Sequence, residues 1–215
     1  MKTIEFQQVL PQVFADRNRV DSEVWHRQIA FEKGKKYLVE AASGTGKSSM
    51  CSFIYGYRND YEGIIAFDGR NIRSLGVPQW TALRRRSLSL LFQELRLFPE
   101  LTAWENVQMK NSLSGGFQSK ATLEEWFSRL GLDDRKKQKT GKMSYGQQQR
   151  VAFVRALCQP FDFIFLDEPV SHLDGGNAAV MAELLLAEAG RQQAGVVVTS
   201  IGNHLPLPYD VRLRL

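Results

Sequence analysis

Apolar and polar positions follow two periods along this chain, and its elements begin and end where one period gives way to the other. "FDFIFLDEP", Phe161 to Pro169, is an apolar run too short for a helix and closed by proline, which predicts a strand buried on both faces. "GVVVTS", Gly195 to Ser200, reads the same way. "DVRLRL" alternates Val211, Leu213 and Leu215 with arginines, as an edge strand does. In "YLVEAASGTGKSSMCSFIYG", Tyr37 to Gly56, an apolar run passes through a Gly-containing loop into a helix, with "EKGKK" as the turn before it. "YEGIIAFDGRNI" is a hairpin arm turned at Asp68-Gly69. "NAAVMAELLLAEAG" is a helix expected to close at Gly190, and in "TLEEWF" Thr122 and Glu125 have the spacing of a capping box. The second half of "KMSYGQQQRVAFVRAL", Lys142 to Leu157, is an amphipathic helix with Val151, Val154, Ala156 and Leu157 near one side.

Strands alternating with helices predict an α/β fold, with a parallel or mixed β-sheet covered on both faces. Helices run together between about Leu95 and Cys158. The expected organisation is therefore one domain over 1–215, with an α-helical subdomain inserted at about 94–158.

Composition narrows the function more than the fold. The 215 residues, 43% of them hydrophobic, suffice for one sizeable core. A net charge of +5 points to an anionic partner, but the cationic residues are spread along the chain. Their one dense cluster, "DDRKKQKTGK" from Asp133 to Lys142, carries acids and a glycine and reads as an exposed loop, so no nucleic acid is expected. Cys51 and Cys158 lack metal-ligand spacing and lie among helix-like residues, as buried thiols in a reducing compartment would. "MKTIEFQQVLPQVFAD" has no unbroken apolar core, and no stretch approaches the roughly 20 apolar residues of a membrane helix. A soluble, cytosolic chain is expected.

Two segments carry chemistry by their own residues. "AASGTGKSS" follows a strand and opens a helix, as a phosphate-binding loop must. Across Ser43, Gly44, Thr45, Gly46, Lys47, Ser48 and Ser49, the glycines let backbone N–H groups turn inward and the helix start adds partial positive charge. Lys47 supplies an ammonium for the phosphates, and Ser48 a hydroxyl for Mg²⁺. Ala41 stands where this pattern begins with glycine, and a methyl fits there if φ stays negative. In "FIFLDEP", Asp167 at a strand end can hold Mg²⁺, and Glu168 beside it can polarise an attacking water or serve as a hydrogen-bonded structural carboxylate.

The order of phosphate loop, lone Gln, Ser-x-Gly-Gln and Asp-Glu-Pro resembles the ATP-binding cassette family, the motor subunits of ABC transporters. The resemblance covers nearly the whole chain. It implies that two subunits pair head to tail, so that Ser144, Gly146 and Gln147 close over the ATP held by the partner's phosphate loop. Met143 replaces the family's Leu there, and Tyr145 replaces its first Gly. The resemblance also implies Gln93 as a Mg²⁺ or water contact and Phe14 as the aromatic that stacks on adenine, with Phe6 or a core role for Phe14 as alternatives. "SHLD", Ser171 to Asp174, matches the loop that reaches across the dimer. The family's switch His falls at Ser200 or Ile201 in this chain, which leaves His204 as the nearest candidate.

The resemblance therefore implies a Mg-dependent ATPase on the cytoplasmic face of a membrane, using ATP and Mg²⁺. It would work as a homodimer or heterodimer with a second ATPase subunit and drive a separate transmembrane permease. The short chain resembles the small motors of lipoprotein release, macrolide export or cell division. Two alternatives stay open: an ATP-binding regulatory subunit with little hydrolysis, and a soluble cassette ATPase of DNA repair or ribosome function.

Overall fold

A computed structural model of the chain describes residues 1–15, 21–42, 44–170 and 175–215. In chain order its elements are β1 (Thr3–Pro11), β2 (Gln28–Glu32), β3 (Lys36–Glu40), α1 (Lys47–Ile54), β4 (Tyr61–Phe67), β5 (Arg70–Asn71), α2 (Val77–Arg86) and β6 (Leu88–Leu91). Next come α3 (Ala103–Leu113), α4 (Lys120–Arg129), α5 (Tyr145–Leu157), β7 (Phe163–Asp167), α6 (Gly175–Gln192), β8 (Gly195–Ser200) and β9 (Val211–Arg214). Five strands form a wholly parallel sheet in the order β6-β7-β8-β3-β9. The antiparallel pairs belong to a separate four-stranded sheet, β2-β1-β4-β5.

The near-continuous apolar runs follow from burial of the parallel sheet on both faces. Ile164 and Leu166 of β7, Val196 and Val198 of β8 and Leu38 of β3 join a core with α3, α4, α5 and α6. Their alternates, Phe163, Phe165, Val197, Tyr37 and Val39, face the other way, into a core with α1 and the antiparallel sheet. Register then aligns the strand ends: Asp167 lies opposite Thr199, and Glu40 opposite Ser200. The segments leaving β3, β7 and β8 therefore emerge together at the carboxyl edge, where open α/β sheets bind ligands.

Asp68 (φ 49°) and Gly69 (φ 77°) make the predicted tight turn between β4 and β5, and β9 is an edge strand as its alternation required. Two boundaries differ from expectation. The cap of α4 is Ser119, whose Oγ accepts from the Thr122 N–H at 3.1 Å, so Thr122 lies inside the helix and no box forms with Glu125. A complete capping box stands instead at Thr102 and Glu105. Helix α6 runs through Gly190, and the chain leaves it at Gln193, whose φ of 52° takes the left-handed role expected of the glycine.

Candidate active site

The loop between β3 and α1 is shaped by two left-handed glycines, Gly44 (φ 78°) and Gly46 (φ 100°). Gly46 has a second constraint. A Cβ there would lie 3.1 Å from the Trp25 ring and 3.2 Å from that of Phe14. Trp25 is buried beneath the loop and donates its indole N–H to the Thr45 carbonyl at 2.9 Å, while the Thr45 hydroxyl donates to Ala42 O at 2.8 Å. No motif marks Trp25 in the sequence. Ala41 stays out of the left-handed region, so its methyl is accommodated. Gly46 precedes α1 without a side-chain cap, which leaves the first N–H groups of that helix to a ligand. Ser43 lies outside the described residues.

Lys47 is 5% exposed, and its ammonium donates to Ala42 O at 2.9 Å and Ala41 O at 3.3 Å. Glu168 Oε1 lies 3.6 Å away and supplies the counter-charge that a buried cation needs. Ser48 donates its hydroxyl to Gln93 Oε1 at 3.2 Å, so two residues expected at a metal meet directly. Ser49 takes a hydrogen bond from Arg58 at 3.0 Å.

Asp167 is buried at the end of β7 and accepts a 2.6 Å hydrogen bond from the Thr199 hydroxyl. The next residue, Glu168, adopts φ 51°, a conformation that costs a non-glycine residue about 1–2 kcal/mol. It is held there from both sides. Its N–H donates to Thr199 O at 3.2 Å and to Thr199 Oγ1 at 3.3 Å, and Gln149 Nε2 donates to its carbonyl at 3.2 Å. The strained turn separates the two carboxylates, that of Asp167 on the Thr199 hydroxyl and that of Glu168 3.6 Å from the Lys47 ammonium. Thr199 and Gln149 carry no motif of their own, and the sequence signals only that a threonine ends β8.

Gly44, Gly46, Lys47, Ser48, Gln93 and Glu168 line a cavity of about 330 Å³, and Asp167 lies behind Glu168 outside that lining. Phe14 reaches it but is 3% exposed, wedged under Gly46 as a core side chain, so its ring face is not offered to a nucleobase. Val13 beside it is 67% exposed. Ile201 lines the cavity where β8 ends. His204, the nearest candidate for the switch position, is not among the residues that line it. The Ser200 hydroxyl donates to Asn203 O at 2.6 Å and accepts from the Gly202 N–H at 3.0 Å, folding this segment back on itself. His204 is left against Leu205 O (Nδ1 at 3.1 Å) and the Tyr209 ring (centroids 5.4 Å apart).

Ser144, Gly146 and Gln147 stand apart from this cavity, at the start of α5. Ser144 Oγ accepts from the Gln147 N–H at 3.3 Å and Gln147 Oε1 accepts from the Ser144 N–H at 3.0 Å, a closed capping box. Tyr145 has an ordinary negative φ, so the backbone there makes no demand for glycine. The "SHLD" segment, Asp174 included, lies outside the described residues.

The residues fit a nucleotide's phosphates with a divalent cation. An uncapped helix start and Lys47 offer positive charge, while Ser48, Gln93 and Asp167 offer the oxygen donors a hard cation takes. No group of three His, Cys, Asp or Glu suited to a metal exists among the described residues, so such a cation would depend partly on phosphate oxygens.

Fold and site together define an α/β nucleotide-binding domain of the P-loop class. The model of the ABC transporter family matches residues 26–171, and the chain belongs to that family as an ATP-binding cassette. Its full length is 29% identical to the uncharacterized ABC transporter ATP-binding protein YclH of Bacillus subtilis, covering 94% of that protein. It is 33% identical to the lipoprotein-releasing system ATP-binding protein LolD of Syntrophotalea carbinolica, over 74% of this chain and 71% of that one. Among solved structures, the dimeric bacterial ABC transporter cassette MJ0796 superposes with a TM-score of 0.75 at 27% identity, covering 91% of this chain and 87% of that one. The same cassette as a dimer in a post-hydrolysis state, bound to ADP and Pi, gives 0.73 at 25% identity, covering 92% and 87%. The regulatory-subunit reading gains no support from these comparisons. Among the described residues, no helix is long and apolar enough to cross a membrane.

Proposed function

We propose that this cassette binds and hydrolyses Mg-ATP as a dimer, homomeric or with a second ATPase subunit, and that it drives a separate transmembrane permease from the cytoplasmic face of the membrane. The observation that carries the reading is the convergence of Lys47, Ser48, Gln93 and Glu168 on one cavity, with Asp167 next to Glu168 at the end of β7. Gly44, Gly46 and the first amides of α1 cradle the phosphates, with Thr45 and Ser49 shaping the loop. Lys47 exchanges the Ala41 and Ala42 carbonyls for phosphate oxygens, which frees Glu168 to orient and deprotonate the attacking water. Ser48, Gln93 and Asp167 would hold Mg²⁺, which when bound would neutralise developing charge on the phosphates. The Thr199 hydrogen bond keeps Asp167 aimed. Ser144, Gly146 and Gln147 lie apart from this cavity, and in the dimer they complete the partner's site. The helices between about 94 and 158 act as the inserted subdomain that carries them.

Sedimentation of the Glu168→Gln variant tests this arrangement. With hydrolysis blocked, Mg-ATP is expected to convert it from monomer to dimer, whereas Mg-ADP leaves it monomeric. A monomer under both conditions, with ATP bound, would remove the head-to-tail pairing.

A further inference from the structure

Helix α5 touches the loop around Gln93 at two places within one protomer. The Tyr145 hydroxyl donates to the Gln93 carbonyl at 2.7 Å, and Arg155 donates to the carbonyls of Leu95 and Arg96. The loop between these contacts carries two consecutive left-handed residues that are not glycine, Leu95 (φ 58°) and Arg96 (φ 48°). Such a pair is unfavourable by itself and persists only where its surroundings fix it. Gln93 thus has a contact on either side, with its amide oxygen on the Ser48 hydroxyl and its backbone carbonyl on Tyr145. Burial raises the Tyr145 phenol above its ordinary pKa, and the nearby charges of Glu94 and Glu168 add to this, so the hydroxyl remains a donor at neutral pH.

We infer that Tyr145 is a positioning residue: its hydroxyl straps the start of α5 to the Gln93 backbone and so holds the Gln93 amide against Ser48 before nucleotide arrives. The family's glycine cannot make this contact, because it has no side chain. The same contact turns the bulky ring toward its own protomer, so a tyrosine at this position need not obstruct the partner's nucleotide. The functional consequence rests on the reading of Ser48 and Gln93 as part of the nucleotide site; the strap itself does not.

The test is Tyr145→Phe in the full chain, which removes one oxygen from a residue 39% exposed and leaves the ring in place. Amide hydrogen exchange of the segment 92–97 is measured without nucleotide, with 195–200 as internal reference, and the Mg-ATP dependence of hydrolysis is measured alongside. Exchange in 92–97 is expected to accelerate about threefold or more while the reference is unchanged, as local opening requires. KM for Mg-ATP is expected to rise roughly two- to tenfold, the loss of one ordinary hydrogen bond, with a smaller effect on kcat. Equal exchange in both proteins would overturn the strap, even if the ATP dependence moved, since the hydroxyl would then act elsewhere. Faster exchange with an unchanged KM would overturn the positioning role. A wild-type chain that binds no ATP would instead defeat the nucleotide reading, and the exchange data would still decide the strap.

Discussion

Helix α1 starts at Gly46 with no side chain over its first N–H groups, whereas α5 starts at Ser144 with both halves of a capping box closed. Both segments carry small polar residues at a helix mouth, and sequence alone assigns both to phosphate. Their finish assigns them different tasks. The α1 terminus, proposed above as the phosphate site, is uncapped and braced by Trp25 and Phe14 within one chain. At the α5 terminus the N–H groups of Ser144 and Gln147 are taken up by its own box, and the Ser144 hydroxyl keeps a hydrogen to donate. On the proposed function, the first helix start binds nucleotide and the second completes a site filled in another subunit.

Two substitutions break or sharpen this division. The larger effect belongs to Gly46→Ala, which places a methyl against two buried rings at a φ that L-residues avoid. ATP affinity by calorimetry is expected to fall at least about 100-fold, since the loop must move to relieve contacts on both sides. Retained affinity would show that the loop is not the preformed site. Ser144→Ala is expected to leave the affinity of the monomer for ATP unchanged within about twofold. It would lower stability in denaturant by about 1 kcal/mol through the lost cap and, on the proposed head-to-tail dimer, reduce hydrolysis. A large loss of monomer affinity would erase the distinction between the two helix starts.

How much of the molecule is legible in its sequence depends on what fixes each segment. β7 and β8 can be read because burial on both faces enforces an apolar run, and that run sets where Asp167 and Glu168 must emerge. β1 is hidden. Its pairing shifts between Gln7 and Leu10, where Gln8 takes φ 54°, so the alternation of Ile4 and Phe6 gives way to adjacent buried Val9 and Leu10. The cap at Ser119 is mistaken for one at Thr122 because both are hydroxyl residues three apart, and only the path of the entering chain decides which one is the cap. Trp25, Thr199 and Tyr145 act through contacts 20, 32 and 52 residues away, which no local pattern encodes.

His204 is a case in which sequence position and direction part. It is the nearest histidine to the expected position, yet the Ser200–Asn203 hydrogen bond turns the segment and sends its ring to Tyr209. Proximity in sequence carries no information about direction once the chain has left the buried strand. The end of β7, by contrast, delivers its carboxylates because Thr199 and Gln149 hold the residue that turns the corner.

The most direct measurement is the steady-state Mg-ATPase rate of the wild-type chain beside Glu168→Gln and His204→Ala. The glutamine variant is predicted to lose at least about 100-fold in kcat while still binding ATP, since it keeps the shape of the site and removes its base. His204→Ala is predicted to stay within about twofold of wild type, as one contact outside the cavity should. Hydrolysis that survives in Glu168→Gln, or that collapses in His204→Ala, would contradict the assignment of the chemistry to the end of β7.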